Sequence, residues 1–403
     1  WLAPVHQRRL FRLDHRPLIY LSNDMMKTSL KRTLSAQELD QLAAELDAVR
    51  ARAMADVGEK DARYIRRVVA LVRYSAFAGR ALLMLSFFPP AWVLGTLLLA
   101  LSKIVENMEV AHNVMHGQYD WMGDPSLNGQ TYEWDLVGTS DNWRTSHNFM
   151  HHTYTNIKGM DDDVGYGVLR LFPEQRWKPH YLLQPVYAVI FALLFQWGIA
   201  IQELELGRLA SGRMTVDEVR PQLQRTGRKI VAQVTKDYLA WPLLGVVLTL
   251  PFALMGQGPA LSDVFFTVLI ANAIANVLRN LWTYMIIFCG HFPADVHVFT
   301  KAQVEGETRA RWYVRQLLGS CNIGGGKLFH VLSGNLSHQI EHHIFPDLPS
   351  NRYPELAPRV RALADRYGLP YNTGALSRQF GTTVWKILRL AFPGGAALGA
   401  ARA

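Results

Sequence analysis

Residues Val264–Leu278, with the sequence VFFTVLIANAIANVL, form a long apolar run that Trp282–Cys289 continues. A bilayer core requires about 20 mostly apolar residues per helix, and the two runs together reach that length. Arg279 and Asn280 interrupt the stretch, and we expect both side chains to face the protein interior, because polar groups are costly in contact with lipid. The stretch therefore predicts a membrane-spanning helix.

Three further segments have the composition of membrane helices. Ala91–Val105 and Trp241–Met255 are continuous apolar runs. Val69–Phe88 is also apolar but carries Arg73 and Arg80, which must pair, extend to the membrane surface or face inward. Hydrophobic residues make up 49% of a chain whose ends are rich in charge, so the apolar residues are concentrated in the middle. This distribution predicts a polytopic membrane protein.

Turn-forming residues divide these segments into two pairs. Pro89-Pro90 ends the first segment and starts the second, which predicts a helical hairpin. Gly256-Gln-Gly-Pro259 separates Trp241–Met255 from the run that begins at Val264.

Eight of the fourteen histidines fall into three short clusters, HNVMH, HNFMHH and HQIEHH. Residues four apart share a helix face, so each cluster can direct a pair of imidazoles toward one point. Neutral imidazole is the commonest protein metal ligand, and eight histidines exceed what one ion can use. The pattern predicts two metal ions, with these candidate ligands: His112, His116, His147, His151, His152, His338, His342 and His343.

The order of clusters and spans constrains the topology. The first two clusters lie between the second and third spans, so they share a side of the membrane. The third cluster reaches that side only after an even number of crossings. We therefore predict an all-α polytopic membrane protein with about four transmembrane helices and a cytoplasmic, histidine-rich helical cap. A further apolar stretch, Leu182–Ile201, must then lie along the membrane or insert only partly.

The charge pattern supports a cytoplasmic cap. The net charge is +9, and the basic residues lie mainly in segments that flank the apolar runs, as the positive-inside rule requires. No interleaved basic and aromatic platform indicates nucleic-acid binding. The two cysteines, Cys289 and Cys321, are too few for a disulfide framework or a cysteine-based metal site.

Outside the apolar region we expect two peripheral parts. Residues 1–60 contain an N-terminal extension over about the first 30 residues, followed by an amphipathic packing helix over Leu34–Arg50 with Ser35 as its N-cap. Residues 61–350 then form the membrane domain with the three histidine clusters, and residues 351–403 form a C-terminal cytoplasmic tail.

The histidine clusters resemble the boxes HxxxH, HxxxHH and [HQ]xxHH of the membrane fatty acid desaturases, in order and spacing. The third cluster, within Leu336–Pro346, is similar to that of the glutamine-bearing branch. The contexts Glu106–Gly117 and Gly159–Gly167 are similar to those of bacterial acyl-CoA delta-9 desaturases. The resemblance covers roughly Asp61 to Asn372.

This resemblance implies an oxygen-dependent desaturase of the bacterial inner membrane that inserts a cis double bond into a long-chain acyl substrate, either acyl-CoA or acyl-lipid. It implies two iron ions with histidine ligands, and O2 as co-substrate. The electrons would come from NAD(P)H through a separate reductase and a ferredoxin- or cytochrome b5-like donor, because the haem motif of fused relatives is absent.

The third box departs from many relatives, which begin it with histidine. Here Gln339 occupies that position and His338 precedes it. Gln339 could ligate weakly, hold a water or leave its role to His338. The resemblance also implies a further ligand after the last span, for which His291 is the best-placed residue, although a loop histidine is an equal alternative.

Acidic residues near the boxes are candidates for orienting the imidazoles: Glu109, Asp141, Glu341 and Asp161–Asp163. A solvated loop is an equal interpretation of the aspartate run. Two other functions remain open. His338-Gln-Ile-Glu341-His342 matches the HxxEH pattern of zinc hydrolases, and a diiron acyl hydroxylase shares the desaturase ligands and differs in small placements of the substrate.

Overall fold

The computed structural model describes residues 33–210 and 212–396, which are mostly helical. The predicted extension over the first 30 residues lies outside them. The first α-helices are α1 (Ala36–Ala55), α2 (Glu59–Leu83), α3 (Pro89–Val105), α4 (His112–Met115), α5 (Ser140–Trp143), α6 (His152–Tyr154), α7 (Gln184–Leu193), α8 (Phe195–Gln202) and α9 (Leu206–Ala210). The later ones are α10 (Val216–Thr235), α11 (Trp241–Leu254), α12 (Leu261–His291), α13 (Lys301–Val304), α14 (Arg309–Leu318), α15 (Lys327–Leu332), α16 (Gln339–Ile344), α17 (Tyr353–Tyr367) and α18 (Leu376–Leu390).

Short elements of other kinds connect these helices. The π-helical segments are Glu106–Ala111, Arg144–His151 and Lys236–Ala240. The 3-10 turns are Asp120–Met122, Pro125–Leu127, Gly165–Gly167, Pro179–Leu183, Ser350–Arg352 and Pro393–Ala396. Two short parallel strands, β1 (Asn322–Gly324) and β2 (Thr373–Ala375), pair with Asn322 opposite Thr373.

Three continuous helices in the described residues are long and apolar enough to cross a membrane: Pro89–Met115, Val216–Leu254 and Leu261–His291. They contain the predicted runs of α3, α11 and α12. The prediction of an all-α polytopic membrane protein is thereby confirmed.

The predicted helical hairpin is present, and α2 packs closely against α3. A Cβ atom built on Gly79 would lie 2.9 Å from the backbone nitrogen of Leu99, and one built on Gly95 would lie 3.0 Å from the carbonyl oxygen of Gly79. Small residues of this kind allow membrane helices to approach closely. However, α2 is not among the three continuous helices, because its sequence is interrupted by charges. A span over Val69–Phe88 therefore stays a prediction.

The segment around Leu182–Ile201 does not form one straight helix. Pro179–Leu193 and Phe195–Gln202 meet at an angle of 102°. Among the described residues, the number of helices able to cross a membrane is thus three, or four if this bent pair crosses as one broken span. The bend agrees with a segment that lies along the membrane or inserts partly.

Charged side chains within the apolar helices face each other. Arg279 and Asn280 of α12 are buried, as predicted, and the amide of Asn280 donates to the Leu193 carbonyl at 2.8 Å. Between the helices, Lys103 forms a buried ion pair with Asp237 at 2.8 Å. Asp237 also pairs with Arg80 at 3.2 Å, so this arginine is satisfied inside the protein. Paired charges avoid the cost of contact with lipid.

The cap is a second hydrophobic core outside the apolar helices. It contains buried residues of α1, α14, α16 and α17, among them Leu42, Leu46, Leu317, Ile344 and Val360. The N-terminus of α1 is as predicted, since the Ser35 hydroxyl accepts from the Glu38 backbone amide and the Glu38 carboxylate accepts from Ser35.

A buried arginine joins the cap to the base of α2. Arg352 donates two hydrogen bonds of 2.6 Å to Asp61, and it also pairs with Asp56 and Glu355. The side chains of Arg352 and Asp61 are 3% and 0% exposed. This ion cluster lies directly after the third histidine box and therefore helps to position it. The domain boundaries at residues 60 and 350 stay a prediction.

Candidate metal centre

Four separate elements bring the histidines together. The π-helical segment Glu106–Ala111 leads into the first box, and the π-helix Arg144–His151 carries most of the second. The third box lies on α16, and His291 is the last residue of α12. π-Helical turns are frequent at functional sites, where the additional residue redirects side chains.

One group of four histidines combines all three boxes. The ligand atoms of His112, His116, His147 and His342 all lie within 4.8 Å of one another. The two Nε2 atoms of His112 and His342, which are 230 residues apart in sequence, are separated by 3.2 Å. This convergence confirms that the three boxes meet on one side of the apolar helices.

A second group lies beside the first. The ligand atoms of His151, His291 and His343 are also within 4.8 Å of one another, and all three side chains are buried. His152 lies between the groups, with its ring 4.6 Å from that of His116 and stacked at 4.5 Å on that of His343. His291 is therefore no isolated loop histidine.

The donor atoms of these groups fit metal ions. Buried ring nitrogens without a hydrogen-bond partner occur on His116, His147, His151, His152, His291 and His343, and also on His338, which lies outside the two groups. Unpaired buried polar atoms are rare in proteins and call for a partner. Burial also lowers the pKa of His147, His152, His342 and His343 well below the usual value, which keeps these rings in the neutral form that binds metals. Nitrogen donors of this kind suit iron, zinc, copper and nickel.

Hydrogen bonds on the far side of the rings orient them. The Nδ1 atom of His151 donates to Asp161 at 3.0 Å, and Nδ1 of His343 donates to the Gln316 side-chain oxygen at 3.0 Å. In both rings Nε2 is then left to face the site. Nδ1 of His342 lies 3.3 Å from the Tyr353 hydroxyl. Burial lowers the pKa of His151, but the charge and hydrogen bond of Asp161 outweigh burial and raise it.

Of the acidic candidates, only part of the aspartate run contacts the histidines directly. Asp161 is buried, and Asp163 lies 3.5 Å from His147 and joins His147 and His151 in a third possible ligand group. Glu109 instead accepts from Ser350 and Asn335. Asp141 pairs with Arg144 at 2.8 Å and is largely exposed, so it does not orient a ring.

Glu341 is also occupied elsewhere, since it accepts hydrogen bonds from Asn322 and Tyr371. Burial raises the pKa of Glu341 to about 7, although these two hydrogen bonds oppose the shift. Its oxygen lies 3.9 Å from Nδ1 of His338.

The two residues at the start of the third box have different surroundings. The Gln339 amide nitrogen donates to Nε2 of His291 at 2.8 Å, which leaves Nδ1 of His291 unpartnered. The His338 ring lies 4.6 Å from that of His330 and belongs to neither histidine group. His338 and His342 therefore point to different places, which is unfavourable for an HxxEH zinc site.

The roles of Gln316 and Tyr353 could not be predicted from the residue pattern. Each contacts its histidine only because α14 and α17 pack against α16, and residue spacing carries no information on such a contact. Trp143 is a local neighbour, four residues before His147, and its ring stacks at 4.5 Å on that of His147.

Asp161→Asn tests the orientation of His151. Asparagine keeps the shape and an acceptor oxygen but removes the charge, so we expect metal affinity to fall about 10–100-fold, the usual effect of losing such an outer partner. The measurement is metal retained per chain in competition with a chelator. Asp162→Asn is the matched control, because Asp162 is exposed. Equal affinities in both variants would contradict the role of Asp161.

Comparison with known proteins agrees with this site. Residues 86–375 match the family model described as fatty acid desaturase. The chain is 47% identical over 360 residues to an NADPH-dependent stearoyl-CoA 9-desaturase of Mycobacterium tuberculosis, covering 89% of this chain and 82% of the relative. It is 28% identical over 291 residues to an sn-1 linoleoyl-lipid 6-desaturase of Synechocystis, covering 70% and 76%. The chain belongs to the fatty acid desaturase family and is an oxidoreductase of lipid metabolism.

Proposed function

We propose that the protein inserts a cis double bond at the delta-9 position of a saturated long-chain acyl-CoA. The observation that carries this proposal is the pair of adjacent, largely buried histidine groups at the end of α12 and on the segments that follow α3, together with an apolar cavity between these two helices. The 47% identity to a relative named as a stearoyl-CoA 9-desaturase supports the substrate and the bond position.

In this proposal each histidine group holds one iron ion. The first ion is held by His112, His116, His147 and His342. The second is held by His151, His291 and His343, with His152 placed between the two. Iron supplies the oxygen-dependent redox chemistry that an unactivated C–H bond needs, and zinc does not. Gln339 and His338 are not ligands in this assignment, and Gln339 orients His291.

The apolar cavity supports a hydrocarbon substrate. Its volume is about 470 Å³, which is within the range of about 300–1,000 Å³ that is common for ligand sites. Its lining includes Ile104, Trp282, Met285 and Leu332. Met285 precedes His291 by six residues on α12, or about 9 Å at the rise of an α-helix. An acyl chain in the cavity would contact apolar side chains and would have to extend about 9 Å along α12 to reach His291.

The remaining parts of the proposal concern partners and orientation. A separate ferredoxin- or cytochrome b5-like protein delivers electrons from NAD(P)H, and the name of the mycobacterial relative, which includes NADPH, supports this source. The basic segments that flank the apolar helices support a cytoplasmic position for the histidines.

The test is fatty acid analysis of a bacterial host that expresses the chain. We expect a new cis-9 monounsaturated acid in aerated cells and none in cells grown without oxygen or with the empty vector. A hydroxy acid in place of the unsaturated acid would assign the protein as a hydroxylase. Release of free acid from an acyl substrate in the absence of oxygen would assign it as a hydrolase.

A further inference from the structure

The C-terminal helix α18 presents an apolar stripe to its surroundings. Phe380, Val384, Leu388 and Phe392 follow one another at intervals of four residues, with Trp385 beside them. All five are exposed, Trp385 by 57% and Phe392 by 59%. Residues at this spacing lie on one helix face, so Phe380, Val384 and Leu388 form an apolar stripe about two turns long, and Phe392 follows two residues beyond the end of α18.

The opposite face of α18 is buried and fixes the orientation of the helix. Gln379, Thr383, Ile387 and Leu390 are buried, and α18 packs against α12 and α7. The Lys386 ammonium group points inward and donates to the Pro293 carbonyl at 2.6 Å. The helix cannot turn its apolar stripe inward without removing these contacts.

The last turn of α18 is bound to the segment that leads into α7. Three of its carbonyl groups, which have no partner within the helix, accept hydrogen bonds from this segment. Arg170 donates to Leu390 at 3.3 Å, Trp177 donates to Ala391 at 2.8 Å and Gln184 donates to Ile387. The two helices therefore form one unit.

Helix α7 adds its own exposed apolar residues. Leu183 and Leu182 precede it, and Val186, Val189 and Ile190 are each at least half exposed along it. Soluble proteins rarely expose apolar patches that extend over two helices, and such patches mark a protein or membrane contact. Arg378 and Arg389 lie at the margins of the stripe, as basic residues do on helices at a membrane surface.

We propose that α18 and α7 lie together in the membrane leaflet on the side of the histidine groups, with this apolar surface against the lipid hydrocarbon. The favoured occupant is lipid because the surface continues onto the spanning helices. Phe380 lines the apolar cavity together with Leu281 of α12 and Leu97 of α3, whose side chains are exposed on spanning helices. The C-terminal segment is then a membrane-bound element rather than a cytoplasmic tail.

Nitroxide labels on single cysteine variants of the full-length protein in phosphatidylcholine–phosphatidylglycerol vesicles test this proposal. Trp385→Cys and Leu388→Cys place the label on the apolar stripe. Arg359→Cys and Arg366→Cys, both on the exposed face of α17, are the controls. The native cysteines are buried, and burial raises the pKa of Cys321 to about 12, so its reactive thiolate is scarce. The readout is collision of the label with dissolved oxygen and with a water-soluble nickel chelate.

Labels at positions 385 and 388 are expected to collide with oxygen and to be shielded from the nickel chelate, with an oxygen-to-nickel ratio several-fold above that at position 366. Ratios equal to those of the controls would place α18 in water and overturn the proposal. Spin–spin broadening at position 385 that disappears on dilution with unlabelled protein would show that a second copy covers the surface, which also overturns it. Neither readout depends on enzyme activity.

Discussion

Replacing His342 with alanine is expected to abolish the new double bond and to remove one of the two proposed iron ions. His342 is fully buried in the first histidine group, and its Nε2 atom lies 3.2 Å from that of His112. Three imidazoles of this group remain, with no side chain in the place of the fourth. We expect the loss of a direct ligand to lower the metal affinity by more than the 10–100-fold effect of losing an outer hydrogen-bond partner. Iron per chain is measured by elemental analysis of the purified protein, and the product by fatty acid analysis.

His338→Ala is the matched control for this substitution. It removes an imidazole four residues earlier in the sequence. This ring is tilted against that of His330 and belongs to neither histidine group. We expect this variant to retain both ions and to form the double bond. Loss of iron from His338→Ala, or full iron content in His342→Ala, would show that the assignment of the third box is wrong.

Replacing Arg352 with alanine is expected to destabilise the protein by about 3–5 kcal/mol, the cost of breaking a buried ion pair by removing one partner. Asp61 loses two hydrogen bonds and its buried counter-charge, and keeps only the hydrogen bonds from Asn351 and the Gly58 amide. Desolvation of Asp61 raises its pKa, but the hydrogen bonds from Arg352, Asn351 and the Gly58 amide, together with the charge of Arg352, outweigh this effect and the net pKa is lowered. Without Arg352 the carboxyl group therefore either stays charged at a high cost or takes up a proton.

Arg366→Ala is the control for Arg352→Ala. Arg366 pairs with Glu45 on the surface of the same cap, and its side chain is 63% exposed. Exposed pairs contribute about 0–1 kcal/mol, so we expect little change. The free energy of unfolding is measured by denaturant titration of the iron-free protein in detergent. A similar loss in both variants would mean that the Arg352 cluster is not a specific link between the cap and α2.

The features that could be predicted are those marked by residues that lie close together in the sequence. Continuous apolar runs located α3, α11 and α12, and Pro89-Pro90 located the hairpin. The four-residue spacing of His112 and His116 places both on one helix face. The order of the boxes and the apolar runs predicted that all three boxes lie on the same side of the membrane, and the structure brings them together. Ser35 with Glu38 three residues later is sufficient to mark the start of α1.

The features that sequence did not reveal depend on contacts between distant residues. Gln339 acts on His291, 48 residues earlier, only because α12 and α16 meet at the site. The 102° bend between α7 and α8, which both pack against α12, has no signal in the apolar composition of the two helices. The aspartate run had two equal interpretations until the fold placed Asp161 against His151.

The unpaired histidine nitrogens have a consequence for how the cell maintains this protein. Each buried nitrogen that lacks a partner makes the metal-free fold less stable, and in the proposed function binding of the iron ions would offset that cost and supply part of the folding free energy. Chains made during iron starvation are then weakly folded and exposed to proteases. Iron scarcity is therefore expected to lower the abundance of the protein itself instead of leaving a reserve of intact, inactive molecules.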